Sequence, residues 1–179
     1  MKILIIILLI LVLIIAILLI IALFVKKDYA VRREILINKP SLEIFDYVKY
    51  LKNQDNFSKW AMMDTEMKKN YNGTDGTAGF VAAWDSKNKN VGKGEQQIKT
   101  ITQGKRIDYE IRFVKPFEAI AEAAIITEPL PENKTLVKWT FNSSMKYPMN
   151  IMLLFMNMDK LLGKDLQTGL TNLKELMEK

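Results

Sequence analysis

The first 25 residues contain the feature that most constrains this chain. Ile3 to Val25 is an unbroken run of 23 residues without a charged or polar side chain, a glycine or a proline. As an α-helix rising about 1.5 Å per residue, the run spans roughly 34 Å, and the hydrocarbon core of a bilayer is about 30 Å thick. The run therefore predicts one transmembrane helix that holds the chain on a membrane.

Two other interpretations of the run fit the sequence less well. A cleaved signal peptide has an apolar region of only ~7–15 residues and a cleavage site of two small residues. The nearest candidate site is Ala22-Leu23-Phe24, where Phe is too large for the last position. A buried core helix seldom carries charge-free, β-branched residues on every face, whereas a lipid-facing helix does.

The charges that flank the run bear on its orientation. Lys26, Lys27, Arg32 and Arg33 follow the run, and Lys2 alone precedes it with the amino terminus. The positive-inside rule then favours a cytoplasmic domain over a periplasmic or other extracytoplasmic one. A signal-anchor of the usual kind has the opposite orientation. We expect a single-pass membrane protein whose soluble domain lies in the cytoplasm.

Length and composition exclude several classes of function. With residues 1–27 taken as the anchor and its flanking lysines, residues 28–179 are long enough for one domain with its own core. The chain has no cysteine and no histidine, which excludes disulfides, thiolate catalysis, the usual zinc sites and a Ser-His-Asp triad. We therefore predict no metal, no cofactor and no catalytic constellation.

The net charge does not indicate a nucleic-acid partner. The chain carries +6, and the three lysines that flank the apolar run account for half of it. The remaining 23 Lys and Arg face 20 Asp and Glu, a mild excess of +3. A nucleic-acid-binding domain usually concentrates a larger basic excess on one face.

The rest of the chain has the pattern of an α+β domain. Residues 29–38 alternate as a strand does, and residues 42–51 follow as a short amphipathic helix, with Asn38 or Ser41 as its cap. A second short helix or turn covers residues 56–63. Six strand-like segments separated by turn signals come next. They cover residues 65–71, 77–85, 91–102, 106–114, 117–127 and 134–145.

The last part of the chain changes from strand to helix periodicity. Apolar residues recur at helical spacing from Ile151 to Met177, and Pro148 suits a first helical turn. This pattern predicts one long helix, in which Gly163 and Gly169 permit close packing. Consecutive hairpins predict an antiparallel sheet, and the helix is expected to pack on one of its faces.

This order of elements resembles the START-like helix-grip fold of the SRPBCC superfamily, and most closely its bacterial polyketide cyclase-like members. The resemblance covers residues 29–179. The segments that carry it are residues 33–40, the helix 42–48, residues 57–60, the pair 91–96 and 106–110, and the terminal helix. The resemblance implies a cavity between a curved sheet and the long helix, which in such folds often binds an apolar small molecule.

Apolar and aromatic side chains that alternate on three strands, with methionines at the start of the long helix, are candidates for the wall of that cavity. The alternative is an ordinary core, or for the methionines a helix buried on two sides or resting on the membrane. Tyr109 could orient a ligand through its hydroxyl, whereas Glu95 and Arg112 are expected on solvent-facing positions. The candidates are Trp84, Tyr109, Ile111, Phe113, Trp139, Phe141, Met152 and Met156.

Three functions remain open at this point. The first is a membrane-tethered domain that binds a hydrophobic small molecule or lipid. The second is a polyketide cyclase-like enzyme that uses a buried carboxylate or Tyr109. The third is a protein-interaction or stress-response module, and nothing in the sequence specifies its protein partner. Motifs for other chemistry fail, since residues 73–79 lack the lysine of a P-loop.

Overall fold

A computed structural model describes residues 2–179. It begins with helix α1, Lys2–Phe24, and every side chain of this helix except Ala22 is exposed. Its 23 residues, with a mean hydropathy of 4.1 over an 18-residue window, make it long and apolar enough to cross a membrane. Length and composition therefore agree with the predicted span, and a signal sequence passes the same test.

Seven strands follow α1 and form one antiparallel sheet, as predicted. Their order across the sheet is β1-β7-β6-β5-β4-β3-β2, so that each strand from β2 onward pairs with the next and the last returns to pair with β1. The strands are β1 Asp28–Ile37, β2 Lys68–Asn72, β3 Val81–Asp85, β4 Lys93–Thr102, β5 Arg106–Lys115, β6 Ala119–Leu130 and β7 Lys134–Ser144.

Four strands begin later than the sequence pattern predicts, and the two largest differences have a local cause. The predicted strand 65–71 starts only at Lys68, because the amide of Met67 bonds back to the carbonyl of Asp64 in a turn. The predicted strand 77–85 starts only at Val81, because the amide of Phe80 bonds to the carbonyl of Thr77. The amides of Met67 and Phe80, which the alternating sequence pattern predicts in strands, are thus bonded within local turns.

Three short helices connect β1 to β2. They are α2 Ser41–Val48, a 3₁₀ helix Leu51–Asn56 and α3 Lys59–Met62. The predicted cap of α2 is wrong, since Pro40 occupies the N-cap position and no side chain caps the helix. The backbone and side-chain amides of Asn38 instead donate to Glu178 Oε1, at 2.6 and 3.0 Å.

The predicted single C-terminal helix is two helices. A 3₁₀ helix, Met149–Leu154, is followed by a break and then by α4, Met158–Met177. Asn157 stands at the break, and its side chain accepts a hydrogen bond from the amide of Lys160 at 2.9 Å. A short polar side chain that caps the next helix competes with helix continuation through its own position.

Helix α4 packs closely on the sheet, and two glycines permit the approach. A Cβ at Gly163 would overlap the guanidinium of Arg33, and one at Gly169 would lie 2.7 Å from the ring of Trp139.

Arg33 bonds both carboxylate oxygens of Asp159 at 2.8 and 2.9 Å. This ion pair lowers the pKa of the Asp159 carboxyl through the Arg33 hydrogen bond.

We expect Gly169→Ala and Gly163→Ala to differ in stability. The added methyl at Gly169 meets a ring packed in the core, which costs about 1–3 kcal/mol, against a gain of about 1 kcal/mol in helix propensity. The methyl at Gly163 meets the end of the flexible Arg33 side chain, which can move away at the small cost of its largely exposed ion pair with Asp159. Thermal unfolding of the full chain in detergent should therefore show a lower midpoint for Gly169→Ala alone. Equal midpoints would contradict the close packing at Trp139.

Candidate binding cavity

A cavity of about 310 Å³ lies between the concave face of the sheet, the first half of α4 and the short helices. This volume is within the range of small-molecule sites in proteins. Much of its surface is aromatic or aliphatic. The sheet contributes Ala82, Trp84, Ile111, Phe113, Ala123, Trp139 and Phe141, and the helices contribute Leu51, Gln54, Ser58, Trp60, Ala61, Leu162 and Leu166.

The aromatic part of the wall is built by side chains that alternate along neighbouring strands. Phe113 on β5 lies edge-on to Trp84 on β3, with ring centroids 6.0 Å apart and planes at 79°. Phe113 also contacts Phe141 on β7, at 6.5 Å between centroids. Residues two apart on a strand share one face of the sheet, which explains how distant segments meet here.

A glycine lets Trp84 reach Phe113 across the intervening strand. Gly94 on β4 pairs with both residues, and a Cβ there would lie 2.7 Å from the Trp84 ring and 2.5 Å from the Arg112 carbonyl oxygen. The indole Nε1 of Trp84 donates to the carbonyl of Val91 at 3.1 Å. These contacts fix the ring in place.

One polar group of the wall has no partner. Gln54 is 7% exposed, and its side-chain amide lies near the Tyr109 hydroxyl, but its nitrogen makes no hydrogen bond of ordinary length within residues 2–179. A buried donor without an acceptor costs about 1–3 kcal/mol. A ligand oxygen that accepts from this amide would recover much of that cost.

Charged groups gather on the side of the cavity formed by β2 and the first 3₁₀ helix. Asp55 forms an ion pair with Lys69, with 2.8 Å between Oδ2 and Nζ. The ammonium of Lys52 lies 4.6 Å from the ring centroid of Tyr71. Asp55 is the one carboxylate in the wall as residues 2–179 form it. No cluster of three metal-ligating side chains occurs in this described part of the chain.

The structure brings five of the eight sequence-predicted residues together in the wall and leaves three outside it. The five are Trp84, Ile111, Phe113, Trp139 and Phe141. Tyr109 shares their face but lies in the closed core, where its hydroxyl is 3.5 Å from the carbonyl oxygen of Val48 in α2. Burial raises the pKa of Tyr109. The cavity therefore begins beyond this tyrosine.

Met152 and Met156 are the other two residues outside the wall. Met152 belongs to the second 3₁₀ helix and is 37% exposed, and Met156 lies in the break before α4. The break that Asn157 produces separates both residues from the part of α4 that lines the cavity. The sequence pattern predicts them in the wall because it shows no interruption of the helix.

Sequence reasoning missed several residues of the wall. Leu162 and Leu166 belong to the main apolar stripe of α4, so their helical spacing was a usable signal. No sequence signal predicts Gln54 in the wall, because its position depends on how a short 3₁₀ helix packs. Glu95 and Arg112 bond each other at 2.6 Å and do not line the cavity, in agreement with their predicted solvent-facing positions.

Solved structures share this architecture at low sequence identity. Norcoclaurine synthase from Thalictrum flavum, in complex with dopamine and hydroxybenzaldehyde, matches with a TM-score of 0.63 and 10% identity, over 88% of this chain and 91% of that one. Ara h 8.0201 matches with a TM-score of 0.55 and 12% identity, over 84% and 95%.

A bacterial structure matches to a similar extent. A protein of Thermobifida fusca, solved by solution NMR, has a TM-score of 0.54 and 15% identity, over 82% of this chain and 91% of that one. No protein-family model and no curated protein sequence matches the chain. The structural similarity establishes the fold. Sequence identities this low do not allow the roles of residues to be transferred to this chain.

We expect Tyr109→Phe to change little. Its hydroxyl is at the outer limit of hydrogen-bond distance from Val48, so its loss should alter the free energy of unfolding by less than about 1 kcal/mol. Urea unfolding of the purified variant measures this effect. A loss of more than about 1 kcal/mol would contradict the weak bonding of the hydroxyl.

Proposed function

We propose, because this chain has the helix-grip fold of the START-like SRPBCC superfamily, that it is a membrane-held domain that binds a hydrophobic small molecule or lipid. The observation that carries the proposal is the cavity itself. Its wall combines aromatic and aliphatic side chains with one buried, unpartnered amide on Gln54. Apolar sites with a few polar groups are the usual form of small-molecule sites.

Membrane anchoring is the second part of the proposal. In this division of the chain, residues 1–27 are the anchor and residues 28–179 the binding domain. Three residues separate Phe24 at the end of α1 from Asp28 at the start of β1. Three extended residues span roughly 10 Å. A domain on so short a connection works within reach of the headgroups, which suits a ligand that dissolves in or comes from the bilayer. The excess of basic residues after the helix supports a cytoplasmic location.

A cyclase-type enzyme is the alternative, and one observation favours it. Asp55 and Lys69 form an ion pair at the cavity wall, and a solved norcoclaurine synthase of this architecture is in complex with dopamine and hydroxybenzaldehyde. The two functions differ in a measurable respect. An enzyme releases an altered molecule, whereas a binding domain returns its ligand unchanged, so comparing the mass of a ligand before and after incubation separates them.

We expect the full chain, purified in mild detergent, to retain an apolar molecule that native mass spectrometry detects. Ala82 lies in the wall, so Ala82→Phe should fill the cavity and abolish retention. Ala30 is exposed on β1 and lies outside the wall, so Ala30→Phe is the matched control and should retain the molecule. Retention by Ala82→Phe at the level of the control would contradict binding in this cavity.

Gln54→Leu should change stability and binding in opposite directions. Removing an unpartnered buried amide should leave the ligand-free domain as stable or more stable, by up to about 1–3 kcal/mol. Loss of one hydrogen bond of about 1 kcal/mol should weaken binding of an oxygen-bearing ligand about fivefold. Titration with the retained molecule and thermal unfolding test both expectations. Unchanged affinity would show that the amide does not contact the ligand.

A further inference from the structure

We propose that a second surface of the domain contacts the bilayer directly beside α1. This anchor-side apolar surface consists of Met149, Met152, Leu154 and Phe155 in and after the second 3₁₀ helix, together with Phe117 in the β5–β6 connection. The inference rests on the membrane anchoring of the proposed function. It adds a contact with lipid that neither the span nor the ligand cavity requires.

A buried asparagine fixes this surface to the end of the anchor. Asn150 is fully buried, and its side-chain amide donates to the carbonyl oxygens of Ala22 at 2.7 Å and Val25 at 3.0 Å. The last carbonyls of a helix have no partner within it, so these bonds satisfy exposed acceptors. Ala22 is the one buried residue of α1 because the second 3₁₀ helix covers it.

This docking sets the depth of the surface. When α1 fills the hydrocarbon core, its last turn lies where the core meets the headgroups. The second 3₁₀ helix lies beside that turn and is held at the same level. Leu154 and Phe155 are nevertheless 57% and 80% exposed. Large apolar side chains at this depth exchange water for lipid at a gain proportional to their apolar area.

Phe117 extends the surface at the same end of the strands. Asp28 pairs with Ser144 and Ala121 pairs with Ser143, so β1 and β6 both begin beside the end of β7. The β5–β6 connection projects beyond that end of the sheet, in the direction from which α1 enters β1. Phe117 at its tip is 70% exposed. Two separate segments thus present aromatic rings on the anchor side.

The charges around the surface fit lipid headgroups. Lys26, Lys27 and Lys146 are exposed and form no ion pair within residues 2–179, and the acidic residues next to the surface along the chain are Asp28 and Glu118. Basic side chains beside exposed aromatic and aliphatic ones are typical of surfaces that lie in a membrane interface. This combination favours a bilayer over an apolar protein partner.

The natural absence of cysteine gives a direct test on the full chain. The single variants Phe155→Cys, Leu42→Cys and Ile14→Cys are labelled with an environment-sensitive fluorophore after reconstitution into phosphatidylcholine–phosphatidylglycerol vesicles. Leu42 is the matched control, because it is an exposed leucine on α2, which follows the end of β1 that is farther from α1. Nitroxide lipids labelled in the headgroup or along the acyl chain then quench each site according to its depth.

We expect the Phe155 label to be quenched by headgroup and shallow acyl nitroxides, the Ile14 label by deep ones, and the Leu42 label by neither. Quenching at Ile14 with no quenching at Phe155 would overturn this inference and leave the anchor intact. An apolar emission at Phe155 without lipid quenching would assign the surface to a second copy or another protein. Absence of quenching at Ile14 would overturn the membrane anchor and this inference together.

A second variant tests the role of the docking contact. Asn150→Leu removes both amide bonds to α1, so quenching of the Phe155 label should fall towards that of Leu42 while quenching at Ile14 persists. Asn142→Leu on β7, an exposed asparagine, is the matched control and should leave both unchanged. Circular dichroism confirms that each variant is folded. Full quenching in folded Asn150→Leu would show that the contact does not position the surface.

Discussion

The packing of α4 against one half of the sheet determines the rest of the domain. At Gly169 the helix backbone lies against the Trp139 ring, and at its two ends the helix is tied to the first strand and its following loop, by Arg33 to Asp159 and by Asn38 to Glu178. The helix therefore covers β1 and β7 and leaves the opposite half of the concave face without it. The short helices close part of that half, and the remaining space is the cavity.

The cavity and the core share the same strand faces, which explains both what the sequence predicted and what it missed. Alternation correctly grouped Ile111, Phe113, Trp139 and Phe141 on the concave face. It could not separate them from Tyr109, because the difference depends on where α2 packs. Likewise, helical spacing continued through the break at Asn157, since a capping side chain interrupts the backbone without altering the apolar pattern.

Geometry and chemistry carry different weight in this protein. The helix-grip architecture is shared with plant and bacterial structures at 10–15% identity, and a fold this widely used does not determine an activity. The side chains of the wall are more informative. Within residues 2–179 they combine broad apolar contact with the unpartnered Gln54 amide, one carboxylate and three lysines.

The amide bonds of Asn150 have a consequence for the orientation of the whole domain. A flexible connection of three residues would let the domain swivel about the membrane normal and tumble above the lipid. Two hydrogen bonds from Asn150 to the end of α1, in addition to the covalent connection, couple the orientation of the helix to that of the sheet. With α1 in a membrane as proposed, a change in helix tilt, such as a thicker or thinner bilayer imposes, would then be transmitted to the angle of the β5–β6 tip and the neighbouring cavity wall.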